Sequence, residues 1–403
     1  MLFRITFGIQ ARSPLIYRAD RERIMKHHDL IDLLNSNSID AVLFNKPEEL
    51  VMLYGYYPHY NGSIALVKSN GDSILFIPDF EPLSVELGCQ LVRYPWGSAE
   101  ADPWQGLEHL IREFLPSGST LAFNASTNVN AVSSNAAEGS IIPANVVNEI
   151  IVNNYKSINI DAQLNNLFSV KYAHQVDALK LAHRVGSLAV DKFFDAHAGM
   201  TDGELAANIE AEATKQIGKQ GVYYARAYAC IQSGDETKNS CYYNKTGINT
   251  MKSGQLVFLE LAICVNGFWI DLTRTTVIAT PNQSQEDGFN LVYQALNAAV
   301  SIAKPGVKCA DLYHAANNVF ISHGVANLFP HALGHGVGFK YHEPLLNLVP
   351  ENNRALEAGN IITIEPGLYG GEIKGGIRIE ENILITEVGF EYLSTPQTLL
   401  RKK

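Results

Sequence analysis

"FLELAICVNGFWIDLTRTT", residues 258–276, decides the fold of the half of the chain that carries it. Two largely apolar arms flank Asn266-Gly267, the preferred dipeptide of a two-residue hairpin turn. If these two residues form the turn, Val265 faces Phe268, Ala262 faces Asp271 and Glu260 faces Thr273. Strand alternation then places Glu260, Ala262 and Asp271 on one face. The two carboxylates become diagonal cross-strand neighbours, roughly 7–8 Å apart at the backbone. Two acids converging inside an apolar strand pair repel each other and lose hydration. A divalent cation would remove that conflict. A wet face carrying solvated acids is the alternative, and Leu256 and Phe258, which share the parity of Glu260, weigh against it.

Working outward, two further segments set acids into apolar strands. "NIITIEPGLYGG" (360–371) carries Glu365 before Pro366-Gly367, and "GGIRIEENILIT" (375–386) carries Arg378, Glu380 and Glu381. Arg378 and Glu380 have the same parity and share a face. Glu381 points the other way and reads as a solvated acid. The segment "FPHALGHGVGFKYHEP" (329–344) holds His331, His335 and His342, three of the twelve histidines in the chain. Gly334, Gly336 and Gly338 argue against a helix there. They fit an extended segment whose backbone passes close to a site. Glu260, Asp271, His335, Glu365 and Glu380 together offer four carboxylates and one imidazole. That donor set suits Mn²⁺, Fe²⁺, Co²⁺ or Zn²⁺. Four acids are too many for one ion and suit a pair with bridging carboxylates that activates a water.

The chain has 403 residues, which predicts two or three domains. It is 46% hydrophobic and 18% charged, as in an ordinary globular protein, and its net charge of −10 excludes a basic nucleic-acid-binding footprint. No stretch is long and apolar enough to span a membrane. The five cysteines are scattered without CxxC spacing, which predicts neither a disulfide framework nor a thiolate zinc site and fits a reducing, cytoplasmic setting. Residues 1–19 read either as an extension or as a targeting segment, and Arg4 disfavours a secretory signal.

Residues 21–36 have helical spacing, 39–44 and 62–79 read as strands with a hairpin at Asn70-Gly71, and a helix near 104–115 precedes a strand near 120–123. This predicts an α/β domain over residues 1–163, with loops and short elements in 124–160. A long amphipathic helix at 169–197 opens the second domain, 164–403. Thr201 and Glu204 form a capping box at the next helix. The strands around 254–279 and 360–389, with helices at 288–303 and 309–324 between them, give an α+β domain built on hairpins.

The set Asp271 in "DLTRT", His335 in "HALGHGVG", Glu365 in "TIEPGLY" and Glu380 in "GIRIEEN" resembles the pita-bread metallopeptidase family: prolidase, aminopeptidase P, methionine aminopeptidase and the metal-free relative creatinase. The resemblance covers about 165–400, and the first domain looks like the smaller N-terminal domain of the prolidase and creatinase branch. It implies a pita-bread catalytic domain holding two divalent ions, Mn²⁺ foremost, with Co²⁺, Zn²⁺ and Fe²⁺ as alternatives. It implies Asp271, His335, Glu365 and Glu380 as ligands and Glu365 also as general base. His331 and His342 would contact substrate and stabilise the oxyanion, and Arg378 would orient ligands. The implied reaction is hydrolysis of an amide bond near a peptide N-terminus, typically one preceding proline, by a homodimer.

Two positions depart from the family pattern. Family peptidases usually place Asp-x-Gly eleven residues before the second ligand, where this chain has Glu260 in "ELA". They often have a substrate-contacting His about seventeen residues before the first ligand, where this chain has Tyr243. These changes keep two other readings open. One is a creatinase-like or other C–N hydrolase acting on a small non-peptide amide. The other is a catalytically silent binding module.

Overall fold

A computed structural model describes residues 28–59, 62–83, 87–96, 103–124, 144–239 and 245–400. The described residues open in helix α1, of which residues 28–36 are seen. It continues through β1 (Ala41–Phe44), α2 (Pro47–Tyr54), β2 (Ile64–Lys68), β3 (Ser73–Pro78), β4 (Gln90–Tyr94), α3 (Pro103–Phe114), β5 (Thr120–Phe123), α4 (Ala144–Asn154) and β6 (Lys156–Asn159). The six strands form one mixed sheet in the order β4-β3-β2-β1-β5-β6. The runs AVLF, IALV and ILFI of its central strands are buried throughout, as expected of strands covered on both faces. The β2–β3 hairpin closes with Lys68 N–H on the Asp72 carbonyl at 2.8 Å, so Asn70-Gly71 ends a three-residue loop with Gly71 at φ 94°. Of the segment expected to hold loops and short elements, residues 125–143 lie outside the described residues, and its end is the regular pair α4–β6.

Helix α5 (Asp161–Ser169) leads into α6 (Ala173–Phe193) and α7 (Asp202–Thr214). The long helix starts only at Ala173 because Val170 bridges Asn360 in extended conformation. The predicted capping box is present: Thr201 accepts from Glu204 N–H, and the Glu204 carboxylate accepts from Thr201 N–H at 2.8 Å. Strands β7 (Ala225–Ser233), β8 (Leu256–Val265) and β9 (Phe268–Val277) follow, then α8 (Gln283–Val300) and α9 (Cys309–Ser322). The chain ends in β10 (Ile361–Ile364), β11 (Gly367–Tyr369), β12 (Gly376–Arg378), β13 (Glu381–Ile385) and β14 (Phe390–Tyr392). The sheet β7-β8-β9 is backed by α6 and α7, and α8 and α9 pair beside β10–β12. The two strand sets face each other across the middle, which gives the expected pita-bread architecture.

The hairpin register is the one read from the turn: Val265 pairs Phe268, Ala262 pairs Asp271 and Glu260 pairs Thr273. Asn266 and Gly267 have φ 52° and 89°, the two positive values that a primed two-residue turn demands. Strand β7, which the sequence pattern did not signal, pairs alongside, with Cys230 opposite Glu260 and Tyr228 opposite Ala262. The expectation for Glu381 is overturned. It is fully buried and its Oε2 meets Arg274 Nη2 at 3.1 Å, because residues 394–397 cover the second face of β13 and bring Ser394 Oγ and Gln397 N–H to the same carboxylate.

Candidate metal centre

The acids of β8 and β9 are brought to their place by the hairpin register and hydrogen-bonded there by neighbouring strands. Glu260 and Asp271 are both buried. Glu380 arrives at the same point because its N–H donates to the Thr273 carbonyl at 3.1 Å, laying the β12–β13 junction along β9. Glu365 sits in the break between β10 and β11, and Glu380 in the break between β12 and β13. Each strand is therefore interrupted where its acid turns into the centre.

His335 comes from the glycine-rich segment, which runs as an added strand beside β10. Thr363 N–H donates to the His335 carbonyl at 2.8 Å and Glu365 N–H to the Leu333 carbonyl at 2.7 Å. Only glycine fits at 334, where a Cβ would stand 2.1 Å from the Thr363 carbonyl oxygen. The His335 ring donates from Nδ1 to the Gly336 carbonyl at 2.9 Å, which leaves the Nε2 lone pair free. Nε2 is buried and makes no hydrogen bond, with Asp271 Oδ2 at 3.4 Å and Glu365 Oε1 at 3.6 Å. Glu380 Oε1 is likewise buried without a hydrogen bond. Donor atoms of His335, Glu365 and Glu380 lie within 4.8 Å of one another, and so do those of Glu260, Asp271 and Glu380, and of Asp271, His335 and His342. An imidazole presented through a backbone-anchored Nδ1–H, together with an orphaned buried carboxylate oxygen, is what a bound cation requires. The donor chemistry fits a divalent transition ion.

A chain of polar groups closes the inner wall. Arg378 is buried and donates from Nη2 to Glu260 Oε2, from Nε to Thr273 Oγ1 at 3.1 Å and from Nη1 to Tyr369 Oη at 3.1 Å. His331 Nδ1 meets the Ala332 carbonyl and its Nε2 meets Tyr369 Oη at 2.9 Å. His331 thus reaches the centre through Tyr369 and Arg378 and belongs to none of the three donor groups. His342 is half exposed, with Nε2 3.6 Å from Asp271 Oδ2 and its ring 4.0 Å from that of His335. Tyr243 lies outside the described residues.

Three functional neighbours were not singled out in the sequence. Tyr341 Oη lies 2.7 Å from Glu260 Oε1 and 3.0 Å from Asp271 Oδ1. Glu343 is paired with Lys171 in a buried ion pair, and Lys340 Nζ lies 3.6 Å from Glu48 Oε1 of α2. The two pairs clamp residues 340–343 from both sides. Their partners are far apart in sequence, so local pattern carries no signal for them.

Burial sets the electrostatics, and the neighbours modulate it. Burial pushes Glu365 up to about 7 against the pull of Arg378 and His335. Glu380 is held well above the ordinary carboxylate range by burial and by Asp271, Glu365 and Glu260. His331 is lowered to about 3 by burial and by Arg378, so its imidazole is neutral.

Such a fold, with a buried carboxylate–imidazole centre at its middle, defines a peptidase-type hydrolase. The chain belongs to Metallopeptidase family M24, whose model matches residues 177–387, and residues 26–148 match the Creatinase/Prolidase N-terminal domain. An uncharacterized peptidase of Staphylococcus aureus (strain bovine RF122 / ET3-1) is 26% identical over 371 residues, covering 91% of this chain and 97% of that one. Solved structures share the fold as well. A prolidase from Pyrococcus furiosus has TM-score 0.73 at 24% identity, covering 91% of this chain and 99% of that one. A Xaa-Pro dipeptidase from Bacillus anthracis has TM-score 0.77 at 20% identity, covering 94% and 100%. Among the described residues no helix is long and apolar enough to cross a membrane.

Proposed function

We propose that the protein is a metal-dependent peptidase that hydrolyses the amide bond after the first residue of short peptides, with Xaa-Pro peptides as the substrate class. The observation that carries this reading is the pair of orphaned buried donors, His335 Nε2 and Glu380 Oε1, turned toward further carboxylates. Asp271, His335, Glu365 and Glu380 would hold a divalent ion, Mn²⁺ or Co²⁺ foremost for an oxygen-rich set with one imidazole. When bound, such an ion polarises the scissile carbonyl and makes water a nucleophile at neutral pH. Glu365, at the edge of the centre 3.6 Å from His335 Nε2, would take the proton of the attacking water and return it to the leaving nitrogen. His342, beside Asp271 and open to solvent on one side, donates to the carbonyl oxygen as charge develops there. His331 and Tyr369 hold Arg378 in position, and Arg378 holds Glu260. The Xaa-Pro preference and a homodimeric state rest on the family resemblance, and a cytoplasmic setting on the scattered cysteines.

The test is a substrate panel on the purified full-length protein, stripped with chelator and resupplied with Mn²⁺ or Co²⁺. Xaa-Pro dipeptides and longer Xaa-Pro peptides should be cleaved only after the ion is restored. Cleavage of small non-peptide amides in place of peptides would transfer the reading to another C–N hydrolase, in line with the departure at Glu260. Activity unaffected by chelation would remove the metal from the mechanism.

A further inference from the structure

The donor groups of the centre are not equally in need of a cation. In the group His335, Glu365 and Glu380, the imidazole Nε2 and one carboxylate oxygen have no hydrogen bond. The group Glu260, Asp271 and Glu380 shares Glu380 with the first, but hydrogens already stand on both oxygens of Glu260 and on one of Asp271. Glu260 Oε2 receives Arg378 Nη2 and lies 2.6 Å from Thr273 Oγ1, while Oε1 receives the Tyr341 hydroxyl at 2.7 Å. The same hydroxyl lies 3.0 Å from Asp271 Oδ1, so it bridges the two acids of the hairpin.

Tyr341 is not free to swing away. Its ring stacks on His342 with centroids 4.5 Å apart and meets Trp269 edge-on at 6.2 Å. Lys340, next to it, lies 3.6 Å from Glu48 Oε1, and Glu343, two residues on, is held in a buried ion pair with Lys171. The extra methylene of glutamate at 260 complements this arrangement, since one long carboxylate reaches both the Arg378 guanidinium and the Tyr341 hydroxyl. An ion between Glu260 and Asp271 would have to expel the Tyr341 hydroxyl that the two acids share and draw Glu260 away from the Arg378 guanidinium and from the Thr273 hydroxyl, which it shares with Glu380. Leaving those donors unpaired in a buried site is costly.

The geometry points to Tyr341 as the residue that closes the second ion position, so that the protein binds one divalent ion tightly, at His335, Glu365, Glu380 and Asp271, and a second only weakly. This rests on the reading of the centre as a metal site. Tyr341 is accordingly a selectivity residue for metal count, and its hydroxyl takes the bridging place between Glu260 and Asp271.

Chelator-stripped full-length protein is titrated with Mn²⁺ by calorimetry, and the loaded protein is examined by electron paramagnetic resonance. One tight ion per chain with the six-line signal of isolated Mn²⁺ is expected. Tyr341→Phe, which removes only the hydroxyl, should bind a second ion at least roughly tenfold more tightly than the unsubstituted protein and show the signal of a spin-coupled pair. Two ions of similar affinity in the unsubstituted protein, with a coupled spectrum, would overturn the inference, and so would a Tyr341→Phe protein that still takes one ion. No tight ion in either protein would overturn the metal reading itself. Circular dichroism checks the fold of the variant. If Tyr341→Phe does not fold, the ion count of the unsubstituted protein decides alone.

Discussion

At the scale of single residues, the centre is a set of charges held apart from water and short of compensation. Glu365 carries the measurable consequence. Its carboxyl rises from 4.5 to about 7 in the metal-free fold. Between those values the folded chain binds a proton that the unfolded chain has released. Stability of the metal-free protein therefore falls as pH rises from about 4.5 to about 7, by on the order of 3 kcal/mol from this group. Glu380, raised further, acts in the same direction. In thermal unfolding of chelator-treated protein this carboxyl contributes a downward slope of the midpoint between about pH 5 and about pH 7.5, while the buried neutral His331 and His183, both lowered to about 3, contribute an upward one up to about pH 6.5. Glu365→Gln should flatten the downward slope, and a divalent ion should abolish it, because ion binding drives the protons off. An unchanged slope in Glu365→Gln would show that this carboxyl is not the strained one. Most of these residues were legible beforehand, since acids in apolar strands and histidines among glycines are conspicuous. Tyr341 was not, because a tyrosine beside a histidine carries no signal until its hydroxyl is placed between two carboxylates from another segment.

At the scale of elements, the β8–β9 hairpin was fully legible. Turn chemistry and side-chain alternation specify the same register, and a one-residue slip would put the two acids on opposite faces. Strand β7 escaped because "ARAYACIQS" mixes small, polar and apolar residues, and its strand character comes from pairing with β8. Glu381 was misread for a related reason: periodicity assigns a side chain to a face but says nothing about what packs on that face. The hairpin tip makes its own prediction. Gly267 has φ 89°, and a Cβ there would stand 2.7 Å from Val51 Cγ2 and 2.9 Å from the Tyr57 ring. Gly267→Ala should cost about 2–4 kcal/mol from left-handed strain plus forced repacking. Denaturant unfolding measures it, and a loss below about 1 kcal/mol would mean that the tip is loosely seated.

At the scale of the whole molecule, the N-terminal part is a structural partner of the centre as well as a neighbour in sequence. Val51 and Tyr57 receive the hairpin tip, and Glu48 faces Lys340 one residue from Tyr341. Both Glu48 and Lys340 are buried, so Glu48→Ala strands an ammonium group. We expect a loss of about 3 kcal/mol in equilibrium unfolding, together with tighter binding of a second ion in calorimetry, because the clamp that holds Tyr341 between Glu260 and Asp271 is released. Unchanged ion affinity would uncouple the N-terminal contact from the centre. None of this could be read from the chain, since Glu48 and Lys340 are joined only by the folded arrangement of the two parts.

The seating of the hairpin tip against α2 also bears on the order in which the molecule is made. Domains generally fold as they leave the ribosome, N-terminal part first. The surface formed by Val51 and Tyr57 can therefore be in place before residues 258–276 are synthesised. A nascent hairpin with two mutually repelling acids would meet a finished receptor, and the earlier half of the chain would act as a template for the later one.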